Sequence, residues 1–176
     1  MTRASLGASS RPSSRAAELS AAVDAVRRLI RGLRLAEQRT RAATGMSAAQ
    51  LFVLAQLRDT GDLSLTELAD RTLTDRTSAS AVVERLVRDG WVRSERDARD
   101  RRRTVVRITS TGRRRLATAP EPPTVQLIAA LRRLEPAQRR GLTRHLVALL
   151  RAMGLADAPA TMLFEERGSR PRRTRA

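Results

Sequence analysis

The sequence predicts a mainly α-helical protein carrying one small β-hairpin, and three observations lead there. Hydrophobic residues make up 41% of the 176 positions but aromatics only 2%. The core must therefore be built from Leu, Val, Ile and Ala, which suits helices better than a β-sandwich. Apolar residues recur at steps of three and four along most of the chain, the spacing of a helix face. Only around the charged segment Arg96-Asp97-Ala98-Arg99-Asp100-Arg101-Arg102-Arg103 does the period fall to two.

Taken in order, residues 1–15 have the Ser-, Arg- and Gly-rich composition of a disordered arm. Residues 16–44 follow as one amphipathic helix. Leu19, Val23, Val26, Leu29, Ile30 and Leu33 form its stripe, Arg27, Arg28, Arg31 and Arg34 lie between them, and Gly45 marks the end. Ser47-Ala48-Ala49-Gln50 has capping-box form and opens a helix that buries Leu51, Leu54 and Leu57. Gly61-Asp62 is a turn. Ser64-Leu65-Thr66-Glu67 repeats the capping-box form and opens a short helix through Arg71 that buries Leu65 and Leu68.

After Thr72-Leu73-Thr74, Asp75 is an N-cap for a helix running to Asp89, with Val82, Val83 and Leu86 facing inward and Gly90 as the stop. Its first turns carry Arg76, Thr77, Ser78 and Ser80 on the expected outer face. Residues 91–95 and 104–108 alternate as strands, and Thr109 caps the helix that restarts at Ser110. Pro120, Pro122 and Pro123 break that helix. Two further stripes follow, Val125, Leu127, Ile128, Leu131 and Leu134, then Leu142, Leu146, Val147, Leu150 and Met153. Residues 155–176 read as a basic, disordered tail, solvated by composition and able to reach a phosphate backbone.

The formal net charge is +17, and all 35 basic residues are arginine. Total avoidance of lysine fits codon bias, but the surplus of positive charge calls for a polyanion partner. Eight of the arginines lie in residues 1–15 and 167–176, where there is no acid; the body keeps 27 basic and 18 acidic residues. Cysteine is absent, which excludes disulfides, thiolate metal sites and a thiol switch. His145 is the one histidine, so no ordinary zinc site or Ser-His-Asp triad can be assembled and a surface or structural role is favoured. Neither a Gly-rich phosphate loop nor a Gly-x-Ser-x-Gly turn is present. An enzyme, a metal site and a cofactor are not expected. No apolar stretch approaches the roughly 18 residues of a membrane span. The expectation is a cytoplasmic protein with no membrane partner.

Two short helices joined by a tight turn, followed by a hairpin, define a winged helix-turn-helix over residues 47–112. In that arrangement the second helix enters the DNA major groove and the wing reaches the adjacent minor groove. These residues resemble the MarR family of bacterial transcription regulators. The matching pieces are Leu65-Thr66-Glu67-Leu68-Ala69, then Glu84-Arg85-Leu86-Val87-Arg88-Asp89-Gly90-Trp91-Val92, then Asp97-Ala98-Arg99-Asp100-Arg101-Arg102, then Ile108-Thr109-Ser110-Thr111-Gly112. Residues 16–44 and 113–154 complete the family's outline as dimerisation helices. The resemblance implies a homodimer on a pseudo-palindromic operator in double-stranded DNA, usually a repressor, often released by a small-molecule effector. The apolar stripes of the flanking helices independently exceed what one small winged domain can cover.

The resemblance makes Arg99 the wing-tip arginine, with Arg101 and Arg102 beside it on the DNA and Asp97 and Asp100 bracing the loop. Arg76, Thr77, Ser78 and Ser80 are the base- or phosphate-facing candidates of the second helix. Ala81 stands where many members carry a long polar side chain, which shifts specificity toward DNA shape. Trp91 reads as a packed residue at the hairpin base. No residue identifies an effector-binding site. Two other readings stay open: a non-specific architectural nucleic-acid-binding protein, and a ligand sensor with residual DNA binding.

Overall fold

A computed structural model describes residues 14–96 and 104–165. Its elements are helices α1 (Ser14–Thr44), α2 (Ala48–Thr60), α3 (Leu65–Thr72), α4 (Arg76–Arg88), α5 (Ser110–Ala117), α6 (Pro123–Arg133) and α7 (Pro136–Ala152). Strands β1 (Leu63–Ser64), β2 (Val92–Arg96) and β3 (Thr104–Ile108) complete them. The chain divides into two compact units, one ending at Ala36 and one beginning at Glu37.

Within the first unit α1 carries Leu19, Val23, Val26, Leu29 and Ile30 on an exposed apolar face. On its polar side Arg27 pairs with Asp24 at 3.1 Å. The stripe is the amphipathic pattern expected of this helix, and no described residue of its own unit covers it.

The second unit is built around α2. Ala48 through Ala55 are all buried, so α2 is apolar on every side rather than along the single stripe its leucines suggest. Its start is fixed twice. Ser47 accepts a hydrogen bond from the Gln50 N–H while the Gln50 side chain accepts from the Ser47 N–H at 2.9 Å. The Glu37 carboxylate, near the end of α1, accepts from the Ala48 N–H at 2.8 Å. Phe52, Leu54 and Leu57 from α2, Leu68 from α3, Val82 and Leu86 from α4, and Val92 and Val106 from the sheet make one core. Leu65 sits at its edge, half-buried rather than enclosed, because it is the first residue of α3.

The sheet order is β1-β3-β2, antiparallel throughout. The β2–β3 pair is the expected hairpin, with Val92 opposite Ile108 and Arg96 opposite Thr104. β1 is an addition that the sequence did not announce, since two residues are too few to display a period. It pairs Leu63 with Val106, and Arg107 bonds Asp62 at 3.0 Å beside it.

The proline break falls as expected, with α5 ending at Ala117 and α6 starting at Pro123. Proline suits that first helical position, where no backbone donor is needed. A second expectation, after that for Leu65, is corrected. Met162, assigned to a disordered tail, is 4% exposed and belongs to the core cluster. Burying its flexible thioether side chain holds the chain in a turn closed by the Glu165 N–H on the Met162 carbonyl at 2.9 Å.

Candidate nucleic-acid interface

The two helices of the central motif are set by their caps. At the start of α3, Ser64 and Glu67 cap each other, the Ser64 N–H donating to the Glu67 carboxylate at 2.8 Å. At the start of α4, the Asp75 carboxylate accepts from the Ser78 N–H at 2.8 Å and from the Ser78 hydroxyl at 3.1 Å. These bonds, the backbone one foremost, hold the Asp75 carboxyl below the usual carboxylate range. Between the helices Leu73 takes a left-handed conformation, φ 54 and ψ 43, that closes α3. The Leu73 N–H donates to Asp70 at 3.2 Å and the Thr74 N–H to Ala69 at 3.0 Å, the paired bonds of a Schellman stop.

Of the four α4 candidates, Arg76 and Thr77 lie exposed on the first turn. Ser80 is half-buried and donates its hydroxyl to Glu84 at 3.3 Å. Ser78 requires correction. It is 3% exposed, turned into the domain beside Val82, and its hydroxyl is held by Asp75. It donates to the capping Asp75 from the buried side of the helix instead of facing outward. Ala81 is half-buried, so the outward surface of the first turns of α4 consists of short side chains behind Arg76.

The far end of α4 is fastened as firmly. Gly90, at φ 72, lets the Trp91 N–H reach the Leu86 carbonyl at 2.9 Å and its own N–H reach Val87 at 3.0 Å. Buried Gln50 donates to the Asp89 carboxylate at 3.1 Å and ties this end to the start of α2.

The hairpin is seated on the next turn of chain. The Thr109 N–H bonds the Trp91 carbonyl at 3.0 Å, and the Thr109 hydroxyl bonds the Gly90 carbonyl at 2.9 Å while accepting from the Gly112 N–H at 3.1 Å. Gly112 is indispensable to that seat, since a Cβ there would stand 2.2 Å from the Trp91 carbonyl oxygen. Trp91 is half-buried and packed against the core, the hairpin-base role expected of it. The wing tip is not among the described residues. Asp97, Arg99, Asp100, Arg101 and Arg102 therefore lie outside them.

Other chemistry is sparse. Among the described residues no three His, Cys, Asp or Glu side chains gather as a metal site, and no helix is long and apolar enough to cross a membrane. His145 is exposed on α7. An open groove of about 320 Å³ between α2 and α6 is lined by Phe52, Ile128, Arg71 and Arg132 among others. Sequence reasoning missed it because its residues come from three separated segments.

Comparison with known proteins agrees with this architecture. Residues 44–103 match the sequence profile described as the MarR family. The chain is 26% identical over 108 residues to the HTH-type transcriptional regulator YfiV of Bacillus subtilis, covering 61% of this chain and 68% of that protein. BpsR of Bordetella bronchiseptica, solved in a study of how 6-hydroxynicotinic acid regulates its DNA binding, is 31% identical. The match covers 76% of this chain and 93% of BpsR, with a TM-score of 0.50. The fold is also that of Sco3205 from Streptomyces coelicolor, a MarR family regulator solved in complex with DNA. That match has a TM-score of 0.52 at 22% identity, over 87% of this chain and 97% of the other. The capped helix pair, the hairpin seated by Thr109 and Gly112, the matching profile and the BpsR likeness lead to one assignment: the chain belongs to the MarR family of winged helix-turn-helix, DNA-binding transcriptional regulators.

Proposed function

We propose that the protein is a homodimeric, sequence-specific repressor that leaves its operator when a small molecule binds. The observation that carries the reading is the first turn of α4, capped by Asp75, with Arg76 and Thr77 exposed and the hairpin rigidly seated beyond its far end. A helix so presented fits the major groove, and the arginine segment between β2 and β3 fits the adjacent minor groove, where negative potential favours inserted arginine. Arg76 and Thr77 face base edges or phosphates, with Ser80 behind them. Arg99, Arg101 and Arg102 contact the wing groove, and Asp97 and Asp100 brace the loop.

Dimerisation is supported by exposed apolar side chains on the two flanking helices. Leu19, Val26, Leu29 and Ile30 lie open on α1; Leu146, Leu149 and Leu150 lie open on α7, with Met153 at its C-cap. Faces of that size on a stable protein call for a partner. A two-fold dimer would set two recognition helices about 34–36 Å apart, one turn of DNA. The effector is supported by the α2–α6 groove, where half-buried Val125 and Ile128 offer apolar contact and Arg71 and Arg132 offer positive charge, with the acid Asp59 beside them. BpsR, whose DNA binding is regulated by 6-hydroxynicotinic acid, points to the same class of control.

Arg99→Ala tests the wing. Footprinting should show operator affinity weaker by about 1–3 kcal/mol, the range for one good specific contact. Unchanged affinity would remove Arg99 from the interface. The net charge of +17 favours the second reading, a non-specific architectural protein, which predicts equal affinity for every duplex and a steep salt dependence.

A further inference from the structure

The turn between α3 and α4 is inside out. Leu73 adopts φ 54 and ψ 43, a conformation that glycine and asparagine take readily and leucine takes only at a cost. Its side chain is 73% exposed, more than any other large hydrophobic among the described residues. Thr74 does the opposite, burying its hydroxyl oxygen with no hydrogen-bond partner. Stability alone would place a small or polar residue at 73 and an apolar one at 74. Strain retained in this way points to use.

The surroundings narrow what Leu73 can meet. It stands two residues before Asp75, whose carboxylate already occupies the positive end of α4, so a phosphate is poorly received there. Behind Arg76 the outward side chains of the first turns are short, at Thr77, Ser80 and Ala81, and the Ser80 hydroxyl is engaged by Glu84. A helix edge of this kind can come close to base edges. The apolar feature those edges offer in the major groove is the thymine methyl group.

We propose that Leu73 is a specificity-determining residue that packs against a thymine 5-methyl group. The proposal rests on the reading of α4 as the helix that enters the major groove.

The test uses the full chain, a duplex selected by it from a random library, and the variant Leu73→Asn. Asparagine tolerates the left-handed turn and removes the apolar contact. Thymines in the selected duplex are replaced singly by deoxyuridine, which lacks only the methyl group. At one position in a half-site the wild type should lose about fourfold in affinity, the equivalent of one buried methyl. Leu73→Asn should lose nothing at that position, and its unfolding midpoint should be no lower than that of the wild type. Identical losses in the two proteins at every thymine overturn the assignment of Leu73 alone. A selection that enriches no duplex overturns the groove reading, and Leu73 with it.

Discussion

Gly112→Ala is the substitution for which two physical rules predict opposite signs. Gly112 lies inside α5, where alanine is ordinarily favoured over glycine by about 1 kcal/mol. Here an added Cβ would stand 2.2 Å from the Trp91 carbonyl oxygen, 3.1 Å from its carbon and 3.0 Å from Ile108 Cγ1. The closest of these atoms is a backbone oxygen, which no side-chain rotation can move aside. A carbon and a carbonyl oxygen approach no closer than about 3.3 Å, so the start of α5 would retreat by about 1 Å. That retreat pulls on the Thr109 bonds to Trp91 and Gly90, at 3.0 and 2.9 Å, which seat the hairpin. Overpacking of this kind costs about 1–3 kcal/mol and each impaired bond about 1 kcal/mol more. After the gain in helix propensity, the net loss should be about 2–4 kcal/mol. Gly141→Ala, inside α7 with nothing within 4 Å of its added Cβ, is the control and should gain up to about 1 kcal/mol. Urea unfolding at one protein concentration reads both, as opposite shifts in midpoint with unchanged slope. A Gly112→Ala protein as stable as the wild type would refute the close approach.

The remaining predictions concern the tail and the cap. Met162→Ala should destabilise the protein by about 2–5 kcal/mol, as for a core methionine, by the same urea assay; a change within experimental error would return the segment to a solvated tail. The Asp75 carboxyl is held below its unfolded value, so its stabilising effect is complete above the usual carboxylate range and is lost as pH falls through the lowered value. The stability gap between wild type and Asp75→Asn should therefore narrow on acidification from pH about 7 to about 3. An equal gap at both pH values would contradict the cap.

The parts of the fold legible in the sequence are those written in local chemistry. Ser47, Ser64, Asp75 and Thr109 each announce a helix start through a side chain that accepts from an N–H of its own next turn. Gly90 announces a stop, and the prolines a break. What escaped depends on partners distant in sequence. β1 exists only because β3 lies beside it, and Met162 has no periodic neighbours to distinguish it from the tail composition around it. Ser78 was legible and misread. It stands four residues before Val82 and eight before Leu86, on the buried stripe, but polarity suggested the outer face. The inverted pair Leu73 and Thr74 was beyond reading, because either polarity rule alone would have exchanged them.

The central claim is that α4 and the hairpin read sequence instead of merely attracting a polyanion. The most direct measurement is the affinity of the full chain for a duplex it selects from a random library, against the same duplex with its sequence scrambled, at one fixed salt concentration. Sequence reading predicts a ratio of about 10³ or more. Equal affinity for the two duplexes, with binding lost steeply as salt rises, would mean that the +17 charge accounts for the binding and would contradict the claim.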